Sequence, residues 1–273
     1  MLAATLGYSS PRPRSPDAKT VSRRLLTVAA TLGVVAAAAA GGVVYWRGKN
    51  LGPVERGFRV AQANGCFTCH GPGGLRGYED DGRGIGGVPP FSPDEVKAHA
   101  KTDDEIREWI MDGMPRRMKD EPPEPGEPPV LSMPAFREVL DAGEVDALVA
   151  YVKAVADFGP EPEGQALLGR DTARALGCFA CHGPQGRGNA PNPGSLKGYI
   201  PSWDGADWPD LVESDAELRE WIVDGSPRRL REHAVARRFL AEQSVKMPAY
   251  GKNVKEEELA AIAAYVKWLR AGS

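Results

Sequence analysis

The stretch GCFTCHGP at residues 65–72 returns as GCFACHGP at residues 177–184, 112 positions later. The likeness extends well beyond these eight residues. DDEIREWIMDGMPRRM (103–118) matches DAELREWIVDGSPRRL (215–230), with Trp109 and Trp221 in register. Met133-Pro134-Ala135-Phe136 then matches Met247-Pro248-Ala249-Tyr250, and AYVKAV (150–155) matches AYVKWL (264–269), both pairs at an offset of 114. A chain with such self-similarity folds as copies of one unit. Each copy here has about 100 residues, an ordinary domain size. The copies meet near FGPEPEGQ (158–165), a Pro/Gly/Glu segment. The expected organisation is a domain over 52–158, a linker over 159–168 and a second domain over 169–271.

All four cysteines, Cys66, Cys69, Cys178 and Cys181, lie in the two repeated motifs, so no thiol is left over for a disulfide framework. Zinc would need a second pair of ligands in each copy. Copy one offers only His99 besides, and copy two only His233, and the two do not align with each other. Both are expected at the surface. A thioredoxin-like dithiol needs a βαβ setting, and the flanks here read as helices and loops. C-x-x-C-H is also the signature of c-type haem attachment: both thiols add to the haem, and the adjacent His becomes the proximal ligand. That assigns Cys66, Cys69 and His70 to one haem c, and Cys178, Cys181 and His182 to another.

His plus Met is the ligand pair that raises the haem potential in electron carriers. Copy two contains a single methionine, Met247. Copy one has Met111, Met114, Met118 and Met133, of which only Met133 has a Met counterpart. Met133 and Met247 are therefore the candidate sixth ligands, with Met114-Pro115 as a competing Met-Pro pair.

The sequence predicts an all-α fold. Gly 32 and Pro 24 favour short helices joined by irregular loops. Thr102/Glu105 and Ser214/Glu217 have capping-box spacing, and Gly113 and Gly225 mark the ends of the helices they open. Core spacing recurs at Val145, Leu148, Val149, Val152 and Val155, and at Leu259, Ile262, Ala263, Val266 and Leu269.

With the two CxxCH motifs, the later Met-Pro and the closing amphipathic helix, each copy resembles a class I cytochrome c domain. The resemblance covers about residues 52–271. It implies three to five helices around one covalent haem in each copy. It also implies that the last helix crosses the first, an aromatic near Tyr151 or Tyr265 meeting a small residue near Gly57 or Gly169. A proline carbonyl after the motif should hold the proximal histidine: Pro89 or Pro90 in copy one, Pro191 or Pro193 in copy two. Copy one departs from the pattern through the acidic, Pro-rich insert 119–131. Copy two instead carries Arg228, Arg229, Arg231, Arg237 and Arg238.

Residues 25–45, LLTVAATLGVVAAAAAGGVVY, carry no charge. A membrane span needs about 20 such residues, whereas signal-peptide cores have roughly 7–15. Residues 25–46 are accordingly expected to be a single-pass anchor, with a cleaved leader as the alternative, and residues 1–24 a disordered tail. Basic residues flank both sides of the run, so charge does not orient it. Attachment of haem c on the outer side of the bacterial inner membrane, implied by the resemblance, places both copies there. Charge is uneven, with net +6 over 1–50, −8 over 51–160 and −1 over 161–273. No part has the basic, aromatic-interleaved character of a nucleic-acid binder.

The expected function is electron relay by a dihaem c-type cytochrome. Its partners would be a quinol-oxidising complex or dehydrogenase upstream and a terminal oxidase or other acceptor downstream. It would act as a free carrier or as a subunit of a respiratory complex, and no small-molecule substrate is expected. The rival class is a dihaem enzyme such as a peroxidase, or a haem redox sensor, either of which would need one haem that gives up its sixth ligand.

Overall fold

The computed structural model describes residues 18–49, 51–79, 82, 83, 85–120 and 130–272. Two compact units divide the chain after residue 49. The first holds helix α1 (Ala18–Lys49), 32 residues long. It begins seven residues before the uncharged run and takes in part of the expected tail; residues 1–17 lie outside the described residues. Its described side chains are exposed, among them Leu26, Val28, Leu32, Val34 and Val35. The side chains of residues 25, 40 and 43–46, part of the expected anchor, lie outside the described residues. Among the described residues no helix is long and apolar enough to cross a membrane.

The second unit is built from the two copies. Copy one contains α2 (Pro53–Ala63), α3 (Cys66–His70), α4 (Pro93–His99), α5 (Asp103–Asp112), α6 (Arg116–Lys119) and α7 (Ala142–Val155). Copy two contains α8 (Gly164–Ala175), α9 (Cys178–His182), α10 (Trp208–Leu211), α11 (Asp215–Asp224), α12 (Arg228–Glu232), α13 (Ala234–Glu242) and α14 (Glu256–Ala271). Helix α8 starts at Gly164, so residues 164–168 of the expected linker are helical. The described residues of this unit form no strand, only the isolated bridges Tyr78–Val88 and Pro191–Tyr199.

In each copy the first helix crosses the last. A Cβ at Gly57 would lie 2.0 Å from the Ala147 carbonyl oxygen and 2.7 Å from Tyr151 Cβ. One at Gly169 would lie 1.9 Å from the Ala261 oxygen. Only glycine permits this approach. Around the crossings the periodic apolar residues close into cores: Val145, Leu148, Val149 and Val152 with Ala61, Ile106 and Ile110, and in copy two Leu259, Ile262, Val266 and Leu269 with Ala173, Leu218 and Ile222.

Helices α5 and α11 begin at Thr102 and Ser214, whose hydroxyls accept from the amides of Glu105 and Glu217. The return half of the expected capping box moves back one residue, because Glu105 accepts from the Lys101 amide and Glu217 from the Glu213 amide. Both helices stop at glycines in the left-handed region, Gly113 (φ 71°) and Gly225 (φ 77°).

The copies meet through polar groups. Asn189, fully buried, accepts from the Gly52 amide (3.1 Å) through its side chain and donates its own amide to Glu55 (3.4 Å). Asp157 accepts from Gln185 Nε2 (2.5 Å) and lies 3.6 Å from Arg170 and 3.5 Å from Arg174. Asp157 and Gln185 are the only non-glycine residues with positive φ among the described residues.

Candidate functional site

Each CxxCH motif forms one helical turn, α3 or α9, preceded by a left-handed glycine, Gly65 or Gly177. All four thiols are free; Cys69 is exposed and the other three are half-buried. Burial pushes the Cys66 and Cys178 thiols up from their ordinary range.

The histidine of each turn is held from one side. Nδ1 of His70 lies 2.9 Å from the Pro89 carbonyl, and Nδ1 of His182 lies 3.0 Å from the Pro201 carbonyl. A carbonyl only accepts, so Nδ1 carries the proton and Nε2 keeps its lone pair, the arrangement that orients a ligating imidazole. Burial lowers both histidines' pKa against the opposing pull of the carbonyl, which favours the neutral ring a metal needs.

Pro89 is one of the two prolines expected in copy one. In copy two neither Pro191 nor Pro193 serves, for both have other work in the loop. Pro191 forms the bridge to Tyr199, and the Pro193 carbonyl accepts from the Ser244 amide. Pro201 stands 112 positions after Pro89, so the repeat offset itself would have found it. The same offset pairs Phe91 with Trp203, which sequence reasoning also missed. Their rings pack on the two histidines at 4.6 and 5.2 Å between centroids. The tyrosines of the crossing close the far side of each motif. Tyr151 donates to the Gly73 carbonyl (2.9 Å) and Tyr265 to the Gln185 carbonyl (3.1 Å), both in the 3-10 turns just after the histidines.

Met133 and Met247 occupy equivalent places. Each is half-buried against its copy's core, and each carbonyl lies beside the glycine that ends α5 or α11, 2.3 Å from a Cβ built at Gly113 and 2.5 Å from one at Gly225. The helix stop and the Met-Pro segment are thus one joint. Of the other methionines, Met114 is exposed and Met111 packs against the core. The tryptophans of α5 and α11 brace the preceding loops, Trp109 donating to the His99 carbonyl (3.0 Å) and Trp221 to that of Leu211 (2.9 Å). His99 keeps 41% of its side chain exposed, with Nδ1 against the Glu95 carbonyl, and His233 is exposed.

This donor set fits a covalently attached haem c in each copy. It combines two free thiols, an imidazole with Nε2 available, a thioether on a pinned segment, and half-buried apolar side chains beside them. These include Phe67, Phe91, Trp109 and Phe136 in copy one and Phe179, Trp208 and Tyr250 in copy two. The described residues contain no cluster of three or more His, Cys, Asp or Glu able to hold a metal ion on its own.

The model of the cytochrome c family matches the chain twice, over residues 54–156 and 163–270. The chain belongs to the cytochrome c family. Comparison with curated proteins and with solved structures returns no match. Cytochrome c domains bind haem and typically carry electrons, and the two matched regions coincide with the two helical copies.

Proposed function

We propose that this cytochrome is a membrane-anchored dihaem electron relay. Cys66 and Cys69 would hold one haem c through thioethers, and Cys178 and Cys181 the other. His70 and His182 would ligate the iron through Nε2, and Met133 and Met247 through their thioether sulfurs. The observation that carries this reading is the bond from each histidine Nδ1 to a proline carbonyl, repeated at the same spacing in both copies. Bound haem c supplies a one-electron iron couple. The protein's part is to hold the imidazoles in one tautomer and orientation, to offer a thioether that favours the reduced state, and to shield the site with Phe91, Trp203 and the tyrosines of the crossing. A relay needs no open coordination position, in keeping with a Met candidate in both copies.

The anchor reading rests on the uncharged run of residues 25–45, about the length a membrane span needs. The haem domains would stand on the outer side of the bacterial inner membrane. The acidic copy one and the arginine-bearing copy two suit two different partners, since complementary charge steers encounter. The upstream partner is a quinol-oxidising complex or dehydrogenase, and the downstream one a terminal oxidase or other acceptor.

The test is anaerobic potentiometric titration of the full chain matured with haem, followed by carbon monoxide added to the reduced form. Two haems per chain, two high potentials and no carbon monoxide binding are expected. A low-potential haem, or one that takes carbon monoxide readily, would replace the relay by a peroxidase-type enzyme or a sensor.

A further inference from the structure

The contact between the copies is built on positions where the repeat is broken. Gln185 corresponds to Gly73 in copy one, Asn189 to Gly77, Arg170 to Phe58 and Arg174 to Gln62. In the other direction, Glu55 corresponds to Leu167 and Asp157 to Ala271. Each of these polar side chains of the contact is thus present in one copy only.

Two of these groups sit next to the copy-two motif. Gln185 is three residues past His182, in the 3-10 turn Pro184–Gly186, and its backbone is left-handed (φ 55°). Its amide donates to Asp157, itself left-handed at φ 51°, just beyond the end of α7. Two strained residues that hold each other imply a surrounding structure that over-determines them. The Asp157 carboxylate also faces Arg170, which is 8% exposed and whose Nη1 has no hydrogen-bond partner. Arg174 and Asp171 complete the cluster: Asp171 accepts from Arg170 Nε, and Arg174 lies near both acids. The four charges cancel. Because Gln185 also accepts from Tyr265, whose ring packs on Trp203 and Phe179, this neutral cluster adjoins the shell of His182.

We propose that Asp157, a residue of copy one, is a positioning and charge-balancing residue for the haem of copy two. Through Gln185 it fixes the turn that follows His182, and its carboxylate offsets the buried Arg170, so copy one helps set the potential of copy two. Without that carboxylate the cluster carries a net positive charge, which disfavours the oxidised iron. This inference rests on the proposed haem ligation by His182 and Met247.

The experiment is a potentiometric titration of the full-length, haem-matured chain. Met133→His and Met247→His, each of which should lower one potential, assign the two waves. Asp157→Asn keeps an acceptor for Gln185 and tolerates positive φ. It should raise the copy-two potential and leave that of copy one in place. Arg170→Met should lower the copy-two potential, and it keeps the proposal open to test if the first variant fails to fold. The double variant should return close to the wild-type value. If Met247→His moves neither wave, the ligation reading fails. If it moves one wave while Asp157→Asn and Arg170→Met leave that wave unmoved, or move it in the same direction, the charge-balancing role is overturned and the ligation reading stands.

Discussion

Replacing Gly169 by alanine gives a sharp test of the crossing on which each domain is built. Helix propensity alone predicts a gain, since alanine is better than glycine in a helix interior by about 0.8–1 kcal/mol. The packing predicts the reverse. The new Cβ would lie 1.9 Å from the Ala261 oxygen, 2.4 Å from its carbonyl carbon and 2.9 Å from the Ile262 nitrogen. All three are backbone atoms, so no side-chain rotation relieves the clash, and α8 and α14 must separate by about 1 Å. A gap of that size forfeits a quarter to a half of the dispersion energy across the seam. The seam includes Ala173, Tyr265 and Leu269, each fully buried. Overpacking ordinarily costs about 1–3 kcal/mol, and a clash between two backbones belongs at the upper end. After the propensity gain, a net loss of about 2 kcal/mol remains. For a domain of about 100 residues that lowers Tm by roughly 8–16 °C. Calorimetry of the full-length, haem-matured protein should show this drop in the copy-two transition. Gly57→Ala should do the same to copy one. An unchanged or raised Tm in Gly169→Ala would refute the argument that close approach, and not chance, keeps glycine there.

Other outcomes follow from single contacts. Met247→Ala should open one haem, so that the reduced chain binds carbon monoxide at one of its two haems; binding at neither would remove Met247 as ligand. Trp109→Phe deletes the bond to the His99 carbonyl and should cost about 1 kcal/mol in urea unfolding, with Trp221→Phe matching it through Leu211. Hydrogen bonds from Arg117, Arg229, Arg137 and Arg219 hold Glu105, Glu217, Asp112 and Glu256 below the usual carboxylate range. Groups depressed in the folded state contribute stability above their unfolded pKa and lose it as pH falls through the folded one. These pairs therefore add no slope to Tm above about pH 4.5 and should steepen its fall below that, less so in high salt because they are near the surface. A Tm that rises on acidification would contradict that assignment.

The parts of the fold that the sequence made legible are those the two copies share. The stops at Gly113 and Gly225 and the Met133/Met247 pair were visible because a second copy acted as a control on the first, whereas the crossing at Gly57 and Gly169 was implied by the resemblance to cytochrome c domains. Pro201 was missed for a related reason. Proximity along the chain favoured Pro191 and Pro193, whereas the loop they occupy is longer than it first reads and closes through the Pro191–Tyr199 bridge before reaching the histidine. Helix α13 was also unforeseen. The matching stretch of copy one is rich in proline, so the repeat gave no hint of a helix there. The contact between copies could not be read from likeness at all, because Asp157, Gln185, Asn189 and Arg170 are the residues where the likeness stops.

That asymmetry gives the contact a direction. A head-to-tail contact between similar units either closes a ring or repeats indefinitely. Here a third unit docked on copy two in the manner of copy two on copy one would meet Leu167 in place of Glu55 and Ala271 in place of Asp157. Neither can receive an amide or balance a buried guanidinium. The copies are related as plug and socket, and each carries only one of the two, so the pairing is directional.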